Sequence, residues 1–313
     1  MNTEIAFRIA GGLALAALLA GGWFPERAVA SGDGDRAQPA IPTNTGREAA
    51  SPKGGDSTED NSTTLEDVFP WTGEQLYYSL RVNGAEALRG AIRVGDLRRK
   101  GENPYVPVGL SVHSFGFFDD IYPVDDGGDT YLDPVSMHPY RSEKRFRESG
   151  NVRSYVVEYD RDQFTARVEK SRPDRERTFE NAIPRTTHDM ITWIYHLRRR
   201  PIERGATYQY FIYDGWKLSD VRLEVVGKKE ILTPAGWFKA WKLRFVRKIV
   251  KSKRHEQAGR RTAPVLHLVD PSDHEGFLWL SRDENHLPIR ITIPTKFGSG
   301  EAVLMEYDRP EHQ

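Results

Sequence analysis

The sequence predicts a mainly β protein: an antiparallel sheet curved into a barrel-like or sandwich domain, with one packed α-helix at about residues 186–200. Two observations carry this prediction. Short aromatic and β-branched runs recur from residue 71 to 310, separated by Gly, Pro, Asn and Asp. Only one stretch downstream of the N-terminus has helical periodicity, whereas a parallel α/β fold needs a crossover between successive strands.

Taken in order, the chain opens with Arg8, an apolar run Ile9–Leu19 and the small-x-small site Ala28-Val29-Ala30. This is the pattern of a secretory signal over residues 1–30, and its apolar core is shorter than the roughly 20 residues that span a bilayer. An uncleaved anchor is the alternative, because Trp23 and Phe24 lengthen the run and Glu4 weakens the leading charge. The sequence contains no cysteine. That excludes thiol chemistry, disulfides and a lipid-modified N-terminal Cys, so the expectation is an exported periplasmic or envelope protein that is not a lipoprotein. Residues 31–70 are rich in Gly, Asp, Ser, Thr and Pro and poor in large apolar side chains; they read as a disordered linker. Residues 71–310 then read as a single β-rich domain.

Within it, Glu74–Val82 is aromatic strand sequence closed by Asn83-Gly84, with Leu88–Leu97 as its return and Tyr105–His113 next. Ser136–Phe146, Asn151–Asp160 and Gln163–Lys170 predict a meander. Beyond the helix come Thr207–Tyr213, Lys217–Val226, Lys229–Thr233, Trp237–Val250, Gly276–Ser281, Pro288–Ile293 and Glu301–Tyr307. The helix itself is predicted from Met190, Ile194 and Leu197, with Ile191 and Trp193 widening the stripe. Thr186 or Thr187 is the expected cap, Asp189 an acidic first-turn residue, Arg198–Arg200 a basic last turn, and Pro201 the stop.

The helix motif Asp189-Met-Ile-Thr192-Trp-Ile-Tyr195-His-Leu-Arg198, Gly227-Lys-Lys-Glu230 and Thr233-Pro-Ala-Gly236-Trp-Phe238 together resemble the signature of domain of unknown function 3108, a family of mostly exported bacterial proteins. Thr192 stands where the family more often has Ser. The resemblance spans about Gly73 to Tyr307 and implies a curved, barrel-like envelope protein. It marks Asp189, Tyr195, Arg198, Glu230 and Gly236 as motif positions of structural character and brings no catalytic residues.

Chemistry is sparse. Lys+Arg and Asp+Glu are 45 each, so net charge predicts no nucleic-acid partner. His255, His267 and His274 with Asp270 and Asp273, and Asp125, Asp126, Asp129 and Asp133 around Gly127-Gly128, lack the spacing of metal sites and read as polar loops. Gly109-Leu-Ser111-Val-His113 breaks the nucleophile-elbow pattern. No catalytic residue, metal or cofactor is predicted, and the protein leans away from being an enzyme. The candidate ligand residues are Phe115, Phe117 and Phe118 for an apolar ligand, and Lys242, Arg244 and Lys248 on a basic strand for an anionic one. The readings are a non-enzymatic module binding a lipid, an anionic envelope component or a protein partner; an envelope-polymer hydrolase or metal-dependent enzyme; and a structural assembly factor.

Overall fold

The computed structural model describes residues 69–257, 259–269, 274–295 and 298–309. The predicted signal and nearly all of the predicted linker lie outside them. Seventeen strands are formed: β1 Gln75–Val82, β2 Ala85–Val94, β3 Arg98–Lys100, β4 Asn103–Ser114, β5 Asp125–Leu132, β6 Pro139–Glu148, β7 Asn151–Asp160, β8 Thr165–Arg172, β9 Arg175–Ala182, β10 Thr187–His188, β11 Thr207–Tyr213, β12 Leu218–Thr233, β13 Gly236–Gln257, β14 Arg260–Leu268, β15 His274–Ser281, β16 Pro288–Thr295 and β17 Gly298–Asp308. Two short helices interrupt them, α1 Phe117–Ile121 and α2 Thr192–Arg198.

Pairing runs in the spatial order β10, β11, β12, β13, β15, β16, β17, β1, β2, β4, β5, β6, β7, β8, β9. The β10–β11 pair is parallel and the others are antiparallel. β14 continues on the far half of β13, while β3 flanks the start of β4. One large sheet results, unclosed, and a sheet this wide must coil to bury its inner face. Bulges at Tyr77/Tyr78, Leu80/Arg81 and Val225/Gly227 sharpen the curvature. The free edge of β9 comes round to β13, where Ser252 donates to the Ala182 carbonyl and Arg254 pairs with Glu180.

The described residues form two main apolar cores and a small third cluster of Ile231, Ala240, Trp279 and Ile289 on the strands next to the β12–β13 hairpin. The larger gathers β1, β2, β4, β12 and β15–β17 around α2, whose Trp193, Ile194, Tyr195 and Leu197 are all buried. The smaller joins Tyr155, Val157, Ala166 and Val168 of β7 and β8 to Ile183, Tyr213 and Leu218.

The helix is shorter than the expected 186–200. Thr187 and His188 are instead extended and pair with Phe211 and Ile212. The reason is local: the Asp189 carboxylate accepts the amides of Ile191 and Thr192, and Thr192 Oγ1 accepts the amide of Asp189. This reciprocal cap satisfies the first orphan donors three residues later than Thr186. Asp189 is therefore the capping residue and lies outside the first turn.

Asp125–Leu132, read as a polar loop, is a strand inside the sheet. Its glycines permit close pairing: a Cβ on Gly128 would meet the Glu143 carbonyl at 2.1 Å. The runs at 217–226 and 229–233 are one strand, β12, with its bulge at Val225/Gly227.

Candidate functional site

Three motif residues belong to a buried frame. Arg198 sends both terminal nitrogens to Glu74, 2.6 Å from each oxygen, and its Nε donates to the Asn285 carbonyl at 3.0 Å. Tyr195 donates to the same Glu74 at 3.2 Å, and Arg309 approaches it at 3.4 Å. Trp71 lies under the Arg198 guanidinium, 4.8 Å from its centre. This ties α2 to the start of β1 and to the β15–β16 loop. At the other end of the helix, Thr130 Oγ1 donates to Asp189 Oδ2 at 2.5 Å, which fixes α2 to β5. Tyr195, Arg198 and Asp189 hold the fold together, and Asp189 also lines the inner recess.

Between the two cores the inner face carries polar side chains. Alternation puts Asp126 and Thr130 of β5 and Ser142, Lys144 and Phe146 of β6 on that face, with Lys144 opposite Gly128. Asp126, Thr130, Lys144 and Phe146 border a recess walled also by Leu110, Val112, Asp189, Met190 and Ile191. Its volume, as space for the centre of a water molecule, is about 20 Å³. That is room for a water or two and leaves none for an acyl chain or a sugar. Lys144 Nζ donates to the Asp214 carbonyl at 3.1 Å. Burial pushes its pKa down, while Asp189 and Asp214 hold it up. Asp126 accepts the Arg147 amide at 2.9 Å, and burial followed by the neighbouring Glu148 pushes it up to about 8. Glu148 in turn pairs with Arg153 at 2.8 Å.

A pH dependence follows. An unfolded Asp126 loses its proton near 3.8, whereas the folded acid keeps it to about 8. The folded state binds the extra proton in between, so this group's contribution is full below the lower value and declines as pH rises through the window. Asn mimics the protonated acid without titrating. Asp126→Asn is expected to stabilise the protein by a few kcal/mol at pH 8, with the gain shrinking toward pH 4. Urea melts across that range test it; a gain independent of pH would sink it.

Three histidines make a second polar group. His138 stacks on His188 at 4.3 Å between ring centres, and His196 lies 5.0 Å from His188. Nδ1 of His188 meets Thr192 Oγ1 at 3.2 Å, and Nδ1 of His196 meets the Tyr210 hydroxyl at 3.1 Å. Burial, with Arg161 adding repulsion, lowers His138 to about 4; burial also lowers His188 and His196. His138 folds neutral, so its contribution is present above 6.5 and fades as pH falls toward 4; the lowered His188 and His196 act with the same sign, opposite to that of Asp126. Among the described residues, no group of three His, Asp or Glu side chains is placed to share a metal ion.

The residues weighed as metal ligands scatter. Asp126 faces inward, Asp125 pairs outward with His113 at 3.2 Å, and Asp133 caps the amide of Val135. His255 bonds Thr262 and His267 sits opposite Lys251, while Asp270 and Asp273 lie outside the described residues. Ser111 and His113 lie within β4.

The candidate ligand residues lie on the outside. Gly116, at φ 58°, turns the chain from β4 into α1. Phe117 is 73% exposed, Phe115 lies under the Arg89 guanidinium, and Phe118 leans on the main core. None of the three lines the recess. On β13, Arg244 is partnered by Glu224 at 3.0 Å and Glu275 at 3.9 Å, and Lys242 Nζ sits 3.8 Å above Phe277. Lys248 is half-buried on the same strand. Arg247 turns inward, where its Nε donates to Ser219 at 2.9 Å. Lys251 and Lys253, farther along, are exposed. Glu230 and Gly236 belong to the β12–β13 hairpin, Glu230 exposed opposite Lys239 and Gly236 at φ 126° in its turn.

A family model described as a protein of unknown function, DUF3108, matches residues 77–305. The chain belongs to this family. The matched region covers the sheet from β1 to β17 and α2, and within it Asp189, Tyr195 and Arg198 hold the helix in place. A β-barrel-like protein of another uncharacterised family, DUF1849, from Brucella abortus is similar in structure, with TM-score 0.47 and 12% identity over 77% of this chain and 99% of that one. A Bacteroides fragilis protein with a YmcC-like fold gives TM-score 0.31 and 11% identity over 76% and 96%. No curated protein matches the chain at a significant level.

Sequence reasoning read Asp126 as part of a polar loop and missed Lys144 and Glu148. One signal was available: in β6, Lys144 shares parity with Phe146 and Ser142, which puts an ammonium on the face expected to be buried.

Proposed function

We propose that this DUF3108 protein is an exported, non-enzymatic module that docks by its outer surface on an anionic component of the cell envelope. The observation that carries this reading is the long basic strand β13 over a filled interior. Lys239, Arg244, Lys251, Lys253 and Arg254 are exposed along its 22 residues, while the inner recess has room only for water. Arg244 and Arg254 are paired with Glu224 and Glu180, whereas Lys251 and Lys253 share one exposed face of the strand, and such exposed cations raise the local concentration of anionic partners over about a Debye length, ~10 Å at moderate salt. Export rests on the N-terminal pattern of Arg8, Ile9–Leu19 and Ala28-Val29-Ala30.

The reading is tested by retention of the purified protein on an immobilised anionic glycan and on anionic vesicles across a salt series. Lys251→Glu with Lys253→Glu is expected to weaken binding about tenfold and flatten its salt dependence. Equal binding by this variant, or none by the native protein to either anionic surface, would refute it.

A hydrolytic role would have to use the neighbouring Asp126 and Glu148 carboxyl groups, of which Asp126 lines a recess too small for a sugar. That role predicts loss of a measurable envelope-polymer cleavage in Asp126→Asn, the same variant that should gain stability.

A further inference from the structure

The tip of the β12–β13 hairpin carries the most exposed apolar side chains at its end of the sheet. Leu232 and Trp237 are direct cross-strand partners, so both project from one face, and they are 61% and 72% exposed. Pro234 is exposed between them in the turn Thr233-Pro234-Ala235-Gly236. The opposite face is committed to the fold: Ile231 is buried and Phe238 packs against the core, 6.1 Å from the Tyr307 ring. Nothing in the sheet therefore needs Leu232 and Trp237 where they are.

Behind this apolar tip lies a basic collar. Lys228 sits over Trp241 at 4.8 Å and Arg282 over its ring at 5.2 Å, with Lys229 and Lys239 exposed alongside; Glu230 is the acid among them. A Trp and a Leu at the leading edge, with lysines a few residues behind, match the layering of a bilayer surface. The indole suits the interfacial zone and the ammonium groups suit anionic headgroups.

The connection to the rest of the chain points the same way. Residues before Phe69 join the fold at this end: Phe69 and Trp71 pack beside Tyr195, Glu74 meets Arg198 and Arg309, and Arg282 donates its amide to the Lys239 carbonyl of the hairpin. The 68 residues that precede Phe69, with the apolar run Ile9–Leu19 among them, thus attach on the side that carries the tip. Phe117, on α1, is at the opposite end of the strands.

We infer that the β12–β13 hairpin is a membrane-docking element, inserting Leu232 and Trp237 into the headgroup region of an anionic bilayer while Lys228 and Lys239, on the same face, contact its phosphates. This rests on the surface-docking reading above and names both its contact and its partner.

The test uses full-length protein purified from an exporting host, so that variants share the native N-terminal segment. Co-sedimentation is measured with vesicles of phosphatidylcholine alone and of phosphatidylcholine with phosphatidylglycerol. Leu232→Ser with Trp237→Ala is expected to weaken binding to the anionic vesicles at least about tenfold at low and high salt alike. Trp237→Phe should keep most of the binding but lose the part of tryptophan fluorescence that brominated lipid quenches. Lys228→Glu with Lys239→Glu, which removes no apolar surface, should weaken binding chiefly at low salt. Thermal melts of all variants should match the native protein because the side chains are exposed. Unchanged vesicle binding in the hairpin variants, with loss in Lys251→Glu/Lys253→Glu, would overturn the hairpin and leave surface docking standing. Retention on anionic glycan without vesicle binding would do the same. Binding to neither surface would overturn both.

Discussion

Arg198→Met is expected to destabilise the protein by about 3–5 kcal/mol, because it leaves the Glu74 carboxylate buried without its bidentate partner. Both side chains are fully buried, and each Arg198 terminal nitrogen is 2.6 Å from a Glu74 oxygen. Arg309 stands 3.4 Å from Glu74 and is partly exposed, so it offsets part of the lost charge and keeps the expected cost from exceeding that range. The pair itself need not be strongly stabilising, since desolvating two ions costs several kcal/mol before their attraction returns it. Adding Glu74→Gln to Arg198→Met removes the stranded charge and should recover more than half of the loss. Urea melts of the two single variants and the double test this directly. Additive losses would show that the two residues do not act as a pair.

Ile194→Asp is the second large effect. Ile194 is 3% exposed in the middle of α2, with Trp193 and Leu197 of the same helix in the main core. An aspartate there loses the burial of an isoleucine side chain, about 2–3 kcal/mol, and adds the penalty of a carboxyl group with no partner. The expected result is protein that expresses insoluble or is cut rapidly by protease. Ile194→Leu conserves volume and should fold with a loss under about 1.5 kcal/mol. A cooperative melt of Ile194→Asp close to the native one would show that α2 does not organise the core.

Strands whose inner face is apolar were legible. Asn151–Asp160 and Thr207–Tyr213 match the prediction residue for residue, because both are short runs dense in aromatic and β-branched residues, with Tyr155, Val157 and Tyr159, or Tyr210 and Ile212, on the buried face. Other strands were silent for reasons that differ. The inner face of β5 holds Asp126, Gly128 and Thr130, so its alternation is polar on both sides and reads as loop. β9 is an edge guarded by Arg175, Glu176, Arg177 and Glu180, charges that discourage pairing with another chain and also erase the strand pattern. The sequence predicts a helix start at about residue 186, six residues before α2 begins, because Thr186, Thr187 and Asp189 are all good caps and only the pairing of Thr187 with Phe211 selects among them.

The candidate site shows the same division. The sequence contained the basic run of β13 and the parity that exposes Lys242 and Arg244, but not Glu224 and Glu275, which come from two neighbouring strands to meet Arg244. It contained Trp237 as a strand residue, and packing of Ile231 and Phe238 on the opposite face left Trp237 bare.

By itself the sequence determined the class of the fold, the presence of one central helix, the absence of cysteine chemistry and the family, because each depends on local period, composition or a short motif. Tertiary structure alone decided that Glu74 meets Arg198 across 124 residues, that Asp126 and Lys144 border one recess, and that Leu232 and Trp237 remain uncovered. Those outcomes depend on the register and curl of a sheet whose partners are far apart in the chain, and no local pattern encodes which distant side chain arrives opposite.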